Sequence, residues 1–260
     1  MNNLEEIVNI EKHPINKEEY VRYCNKQIEE NSILIMNNFL NKDCLNELID
    51  EALKLQDRAF YCSQNHTILL NKQNKSLDYN DPTNTEVISD KGCVPHDLIN
   101  KKSKLNLLYK SFLFKKFLKG VLNLNNLYPY KDTLSSINYN YYQKTQQLGW
   151  HFDNASFAIT LMIQASDSGG EFEYVNKGRD YNKNFIDKSF LKKILNSSIK
   201  PKKINAIPGT LILFYGRNYL HRVTPVSSDK SRILVTLNYN EEEGIKLSEN
   251  ARLTFFGRIN

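Results

Sequence analysis

The rhythm of apolar and polar positions changes near residue 125. Before that point apolar residues recur three and four apart, the spacing of a helix face, with one strand-like interruption. Residues 1–30 are predicted to be helical and peripheral. The run SILIMNNFL then predicts a short strand over Ile33–Met36. Leu45, Leu48, Ile49, Ala52, Leu53 and Leu55 predict an amphipathic helix, with Asn41 or Asp43 placed to cap it. Leu105, Leu108, Phe112, Phe117 and Val121 predict another, from about Ser103 to Leu122. Between them, 63–92 is rich in Asn, Asp, Lys and Ser and is expected to be irregular, a lid over a site.

After residue 125 the pattern becomes short alternating runs rich in β-branched and aromatic residues. SSINYNYYQ, NASFAITLMIQ, GEFEYV, GTLILFYG, YLHRVTPV and RILVTLNYN are separated by the turn signals GWH, SDSGG, IPGT and SSDKS. Only 182–198, around FIDKSFLKKIL, reads as helical. Six or more short strands in succession predict a sandwich or barrel, of which a jelly roll is the commonest container. The expected organisation is one domain over 1–260. Residues 1–125 would be mostly helical, and residues 126–260 would form a mainly β, cupin-like jelly-roll core with an insertion at 176–203.

Composition narrows the class. An apolar share of 40% supports a packed core. No run approaches the roughly 18 apolar residues needed to span a bilayer, so no membrane partner is expected. The first residues lack a cationic region followed by an apolar stretch, which predicts a cytoplasmic chain. Cys24, Cys44, Cys62 and Cys93 are scattered without metal-like spacing and are expected as thiols. The net charge of +6 invites a nucleic-acid reading, but the lysines are dispersed among asparagines without a basic, aromatic-laced stripe, which argues against it.

Candidate chemistry enters at GWHFDN, where His151 and Asp153 lie two apart, as they would on one face of a strand. A second strand-borne histidine, His221, follows in YLHRVTPV. Two imidazoles and one carboxylate on strands match the facial triad of non-haem iron(II) oxygenases, which leaves open positions for cosubstrate and dioxygen. Arg232 opens the next strand, and its guanidinium suits bidentate pairing with a carboxylate. Singly, each residue has an ordinary structural explanation; order, spacing and β context together favour the iron site. His13, His66 and His96 have no such company. Trp150 is expected to pack the wall of the site and Gly169-Gly170 to shape a tight turn.

The stretches LYPYKDTLSSINYNYY, LGWHFDNASFAITLMIQ, SGGEFEYV, PGTLILFYGRNYLHRVTPV and RILVTLNY resemble the 2-oxoglutarate/Fe(II) dioxygenase superfamily with its double-stranded β-helix. Within it they are most similar to the branch of BesD-type free-amino-acid halogenases and their hydroxylase relatives. The resemblance implies that His151, Asp153 and His221 ligate Fe(II) and that Arg232 holds the C5 carboxylate of the cosubstrate 2-oxoglutarate. It makes Asn138 and Asn140 candidates for 2-oxoglutarate or substrate, and Asn154, Glu173, Arg179 and Asn238 candidates for substrate.

Halogenases of the branch carry a small residue in place of the carboxylate, which frees a position for chloride. Asp153 fills that position here. The implied activity is therefore O2-dependent hydroxylation of an unactivated C–H bond, with release of succinate and CO2. The implied substrate is a small polar molecule, a free amino acid such as lysine. The alternatives are a prolyl-hydroxylase-like enzyme acting on peptide side chains, and a non-catalytic metal-binding barrel.

Overall fold

In the computed structural model, which describes residues 4–260, the N-terminal region contains α1 (Glu18–Asn31), β1 (Ile33–Met36) and α2 (Lys42–Leu55). A hairpin of β2 (Phe60–Thr67) and β3 (Glu86–Val94) follows, then α3 (Lys104–Lys110) and α4 (Phe112–Val121). The strand-rich region holds β4 (Tyr128–Pro129), β5 (Ile137–Tyr142), β6 (Gln147–His151), β7 (Ala158–Gln164) and β8 (Phe172–Asp180). It continues through β9 (Phe185–Ile186), α5 (Lys188–Leu195), β10 (Lys202–Ile204), β11 (Leu211–Phe214), β12 (Tyr219–Val223) and β13 (Arg232–Leu237). β14 (Tyr239–Asn240) and α6 (Glu249–Phe256) complete the chain's regular elements.

The strands pair antiparallel in the order β1-β11-β7-β13-β5-β3-β6-β12-β8-β10, with β2 also on β3 and β9 on β8, while β14 pairs with β4. β11 lies near one end of this order and β8 near the other. Yet Phe214 of β11 meets Phe172 and Tyr174 of β8 at ring separations of 5.3 and 5.6 Å. The sheet therefore curls back on itself, giving the expected double-stranded β-helix, a jelly roll with helices flanking one side.

Alternation along the strands divides that sheet into two faces. On β5 and β13, Ile137, Tyr139, Tyr141, Ile233, Val235 and Leu237 join the main core with Leu48 and Ala52 of α2 and Phe114 and Phe117 of α4. Tyr139 donates its hydroxyl to Glu51 and Tyr141 to the Ala52 carbonyl, tying the sheet to α2. α2 itself begins where the sequence places it, with Asn41 accepting from the Cys44 amide. The opposite face of β5 and β13 carries Asn138, Asn140, Tyr142, Arg232, Leu234 and Thr236, and these line a cavity.

Three expectations need correction. The segment 63–92 is strand at both ends, where β2 and β3 pair in continuous register from Phe60–Cys93 to Thr67–Glu86, while 68–85 between them is irregular as expected apart from a short 3-10 turn at Pro82–Asn84. Its cavity-facing positions Cys62, Gln64, His66, Ser89 and Lys91 are nearly as polar as its solvent-facing ones, so the apolar alternation that marks a strand is missing. The helix expected over 103–122 is two helices. Ser111 adopts an extended conformation and caps the second through the Phe114 amide, which leaves Phe112 79% exposed rather than on the apolar stripe. The helical insertion at 182–198 shortens to α5, because β8 runs on to Asp180 and folds back through β9.

Candidate active site

His151 ends β6 and His221 is its register partner on β12, so adjacent strands present the two imidazoles together, with ring centroids 4.1 Å apart. Asp153 is not on that strand. The chain leaves β6 after His151, and the Asp153 amide donates to the Gly216 carbonyl, which turns its carboxylate back toward the histidines. Its Oδ1 lies 3.4 Å from His151 Nε2 and 3.6 Å from His221 Nε2. A Cβ at Gly216 would collide with Asp153 Oδ2, so the carboxylate occupies space that only a glycine leaves open.

The tautomers of both histidines follow from their backbone partners. His151 Nδ1 donates to the Gly149 carbonyl at 2.8 Å and His221 Nδ1 to the Tyr219 carbonyl at 2.9 Å. Each Nε2 is therefore a free lone pair aimed at Asp153. Burial lowers the pKa of His151, and the neighbouring His221 lowers it further, which keeps the ring neutral. Burial opposes the ionised Asp153 carboxyl, and positive charge at His221 and His151 would hold it far below the usual carboxylate range; between neutral imidazoles that charge would come from a bound metal ion. One donor atom from each residue lies within 4.8 Å of the others, a spacing that lets all three share one ion. The donor set fits a divalent non-haem metal.

A second fit concerns the cosubstrate. Arg232 is 3% exposed, and its Nε and Nη1 are buried without a hydrogen-bond partner. Burial draws its pKa down, against the field of Tyr142, whose ring lies 5.2 Å below the guanidinium. An uncompensated buried guanidinium costs several kcal/mol, roughly, unless an anion joins it. The fork is thus shaped and charged for a carboxylate.

Metal donors and Arg232 line one cavity of about 340 Å³ between the two layers of strands. Its apolar walls include Phe172, Ile212, Phe214, Val223 and Leu234. The β2–β3 hairpin covers one side, and Phe255 and Phe256 of α6 close another. A larger groove between α1 and α4 holds none of the candidate ligands.

Sequence-derived candidates divide cleanly. Asn138, Asn140 and Asn238 line the cavity, linked to one another: Asn140 Nδ2 donates to the Asn138 carbonyl and Asn238 Nδ2 to Asn138 Oδ1. Asn154, Glu173 and Arg179 do not line it. Asn154 is exposed past the β6 turn, its carbonyl accepting two bonds from Arg217. Phe172 and Tyr174 turn inward, so Glu173 faces the other way, paired with Arg222 at 2.7 Å and Lys203 at 3.5 Å. Arg179 stacks on Phe152 and Tyr181. Trp150 carries the Arg222 guanidinium on its face and packs with Phe152 and Leu220.

Other cavity residues were missed. His66, set aside in the sequence, packs edge-on to His151 at 6.3 Å. It shares Ser89 Oγ with the Gly149 amide, bracing the carbonyl that orients His151. Lys91, Phe255 and Phe256 also face the cavity. No motif marks them, since they come from the polar hairpin and the last helix.

The sheet topology, the two imidazoles around a carboxylate and the buried guanidinium together match the arrangement of a 2-oxoglutarate/Fe(II) oxygenase. More narrowly, the chain belongs to the Halogenase D family, which it matches over residues 16–252. No curated protein matches it by sequence. Among solved structures, it is similar to an oxidoreductase of the 2OG-Fe(II) oxygenase family from Burkholderia pseudomallei, with 16% identity, TM-score 0.53, and coverage of 86% of this chain and 92% of that one. A Trichoplax adhaerens prolyl hydroxylase in complex with a hypoxia-inducible-factor peptide fragment shares 17% identity over 87% and 91% of the two chains, with TM-score 0.57. The non-heme alpha-ketoglutarate-dependent epimerase SnoN of nogalamycin biosynthesis shares 10% identity over 86% and 82%, also with TM-score 0.57. At these identities the likeness is one of fold. Among the described residues no helix is long and apolar enough to cross a membrane.

Proposed function

We propose that the protein is a 2-oxoglutarate-dependent hydroxylase of a small polar substrate, a free amino acid, releasing succinate and CO2. In this reading His151, Asp153 and His221 hold Fe(II), and Arg232 holds the far carboxylate of 2-oxoglutarate. Asn138, Asn140 and Asn238 line the space left for substrate. The bound metal, cosubstrate and O2 supply the oxidising chemistry. The protein's own residues orient both small molecules and exclude bulk water.

One observation carries the choice of hydroxylation over the halogenation for which the family is named. The Asp153 carboxylate faces both Nε2 atoms, where the resemblance has halogenases carry a small residue and leave a coordination position open for chloride. The cavity, walled by the β2–β3 hairpin and by α6, supports a small substrate over a peptide.

The test is anaerobic reconstitution with Fe(II), then addition of 2-oxoglutarate, O2 and a panel of free amino acids, with succinate and product mass followed. The expected product gains one oxygen atom. A chlorinated product in the presence of chloride would overturn hydroxylation, and turnover surviving His151→Ala, or an unchanged KM for 2-oxoglutarate in Arg232→Ala, would overturn the site. Metal binding without succinate formation would leave the non-catalytic barrel.

A further inference from the structure

The cavity contains a second cation. Lys91 lies on β3 one residue beyond the Gly92–Tyr141 register pair, which places it beside Tyr142, with Arg232 on that tyrosine's other flank. Arg232 and Lys91 are thus two strands apart, about 10 Å across the sheet. Lys91 Nζ donates to Asn140 Oδ1 at 2.6 Å and sits 5.0 Å from the centre of the Phe255 ring. No carboxylate lies within 4 Å of it among the described residues, although an ammonium carries three donors.

The charges in the cavity make this lysine conspicuous. The only acidic side chain among the lining residues is Asp153, already committed to the metal cluster. Two positive charges from Fe(II) and one from Arg232 balance Asp153 and doubly charged 2-oxoglutarate. Lys91 then remains as one half-buried positive charge beside an apolar wall, where pairing with an anion is favourable. A substrate carboxylate would pair with it directly. A substrate bearing an additional cationic tail would meet Lys91 and no free carboxylate.

We propose that Lys91 anchors an anionic group of the substrate, and that the cavity selects carboxylates without a second cation, which excludes lysine-like tails. The inference rests on the assignment of Arg232 to 2-oxoglutarate and names the substrate class of the same site. Asn140 holds the ammonium in place, and Phe255 shields it from water. The substrate's carboxylate takes the donors that Asn140 leaves free.

Binding without turnover tests this. The full chain is loaded with Ni(II) and 2-oxoglutarate, and calorimetry is run with L-norleucine, L-norleucinamide and L-lysine. Norleucine is expected to bind about tenfold or more tightly than its amide, the range of a charge-assisted hydrogen bond. It should exceed L-lysine by a similar factor. Lys91→Met should erase the discrimination between norleucine and its amide while Lys91→Arg retains it, and 2-oxoglutarate affinity should change by less than about twofold in either. L-lysine binding as well as norleucine, loss of 2-oxoglutarate affinity in Lys91→Met, or no binding by any of the three probes would overturn the proposal. Because no product is formed, a halogenated or epimerised product in the turnover assay would sink hydroxylation and leave the anchor standing.

Discussion

Neighbouring residues of β13 lie in two different environments. Ile233, Val235 and Leu237 are buried against the helices in the main core, whereas Arg232, Leu234 and Thr236 face the cavity. β5 repeats the division, with Tyr139 and Tyr141 bonded to α2 and Asn138 and Asn140 bonded to each other or to cavity groups. One face thus has its polar atoms satisfied by the protein. The other includes a guanidinium with unpartnered nitrogens and an ammonium with one hydrogen bond. Stability and ligand binding are carried by alternate residues of the same strands, so substitutions one position apart should separate them.

The largest separation is expected at the donor cluster. His151→Ala should abolish turnover and lower metal affinity by more than the ~100-fold that loss of an outer-shell partner causes, as measured by equilibrium dialysis. The unfolding midpoint of the metal-free protein should change much less. Ile233→Ala should do the opposite, costing about 2–5 kcal/mol in denaturant unfolding while leaving the KM for 2-oxoglutarate unchanged. One residue away, Arg232→Met should raise that KM by about tenfold or more, with the metal-free protein as stable as before or more so, because an unpaired buried charge has gone. A loss of stability there as large as that of Ile233→Ala would erase the distinction between faces.

Smaller effects lie away from the sheet. Asn41→Ala should cost about 1 kcal/mol by removing the cap of α2, with no change in turnover. His13 offers a pH test on the helical side. Its Nε2 donates to the Asn37 carbonyl and its Nδ1 accepts from Tyr20, and burial lowers its pKa below the ordinary 6.5. The unfolded chain takes up a proton near that ordinary value, while the folded chain takes one up only at lower pH. The stabilising contribution is therefore complete above about pH 6.5 and is lost as pH falls toward the lowered value. A His13→Gln variant should flatten this slope in urea titrations across that window.

Much of the fold was legible because period-two runs after residue 125 sit between clear turn signals, and the strand at Ile33–Met36 appears where expected. The donor residues were legible because few structural roles require two histidines, an aspartate and an arginine in that order on strands. The hairpin was hidden for a physical reason: both faces of β2 and β3 are polar, one toward water and one toward the cavity. Lys91 was hidden with it. Glu173 and Asn154 were misplaced by local geometry, the first by strand alternation beside Phe172 and the second by the turn after β6.

Gly216 gives the site a second point of control. Because the Asp153 carboxylate rests where a methyl group would stand, the carboxylate's part in the proposed metal site would depend on two positions in the chain, only one of which supplies a donor. A change of glycine to alanine at 216 would evict the carboxylate without touching any of the three donors. A descendant of this protein could therefore acquire an open coordination position through the neighbour of its aspartate, and a count of its donor residues would still describe a complete triad.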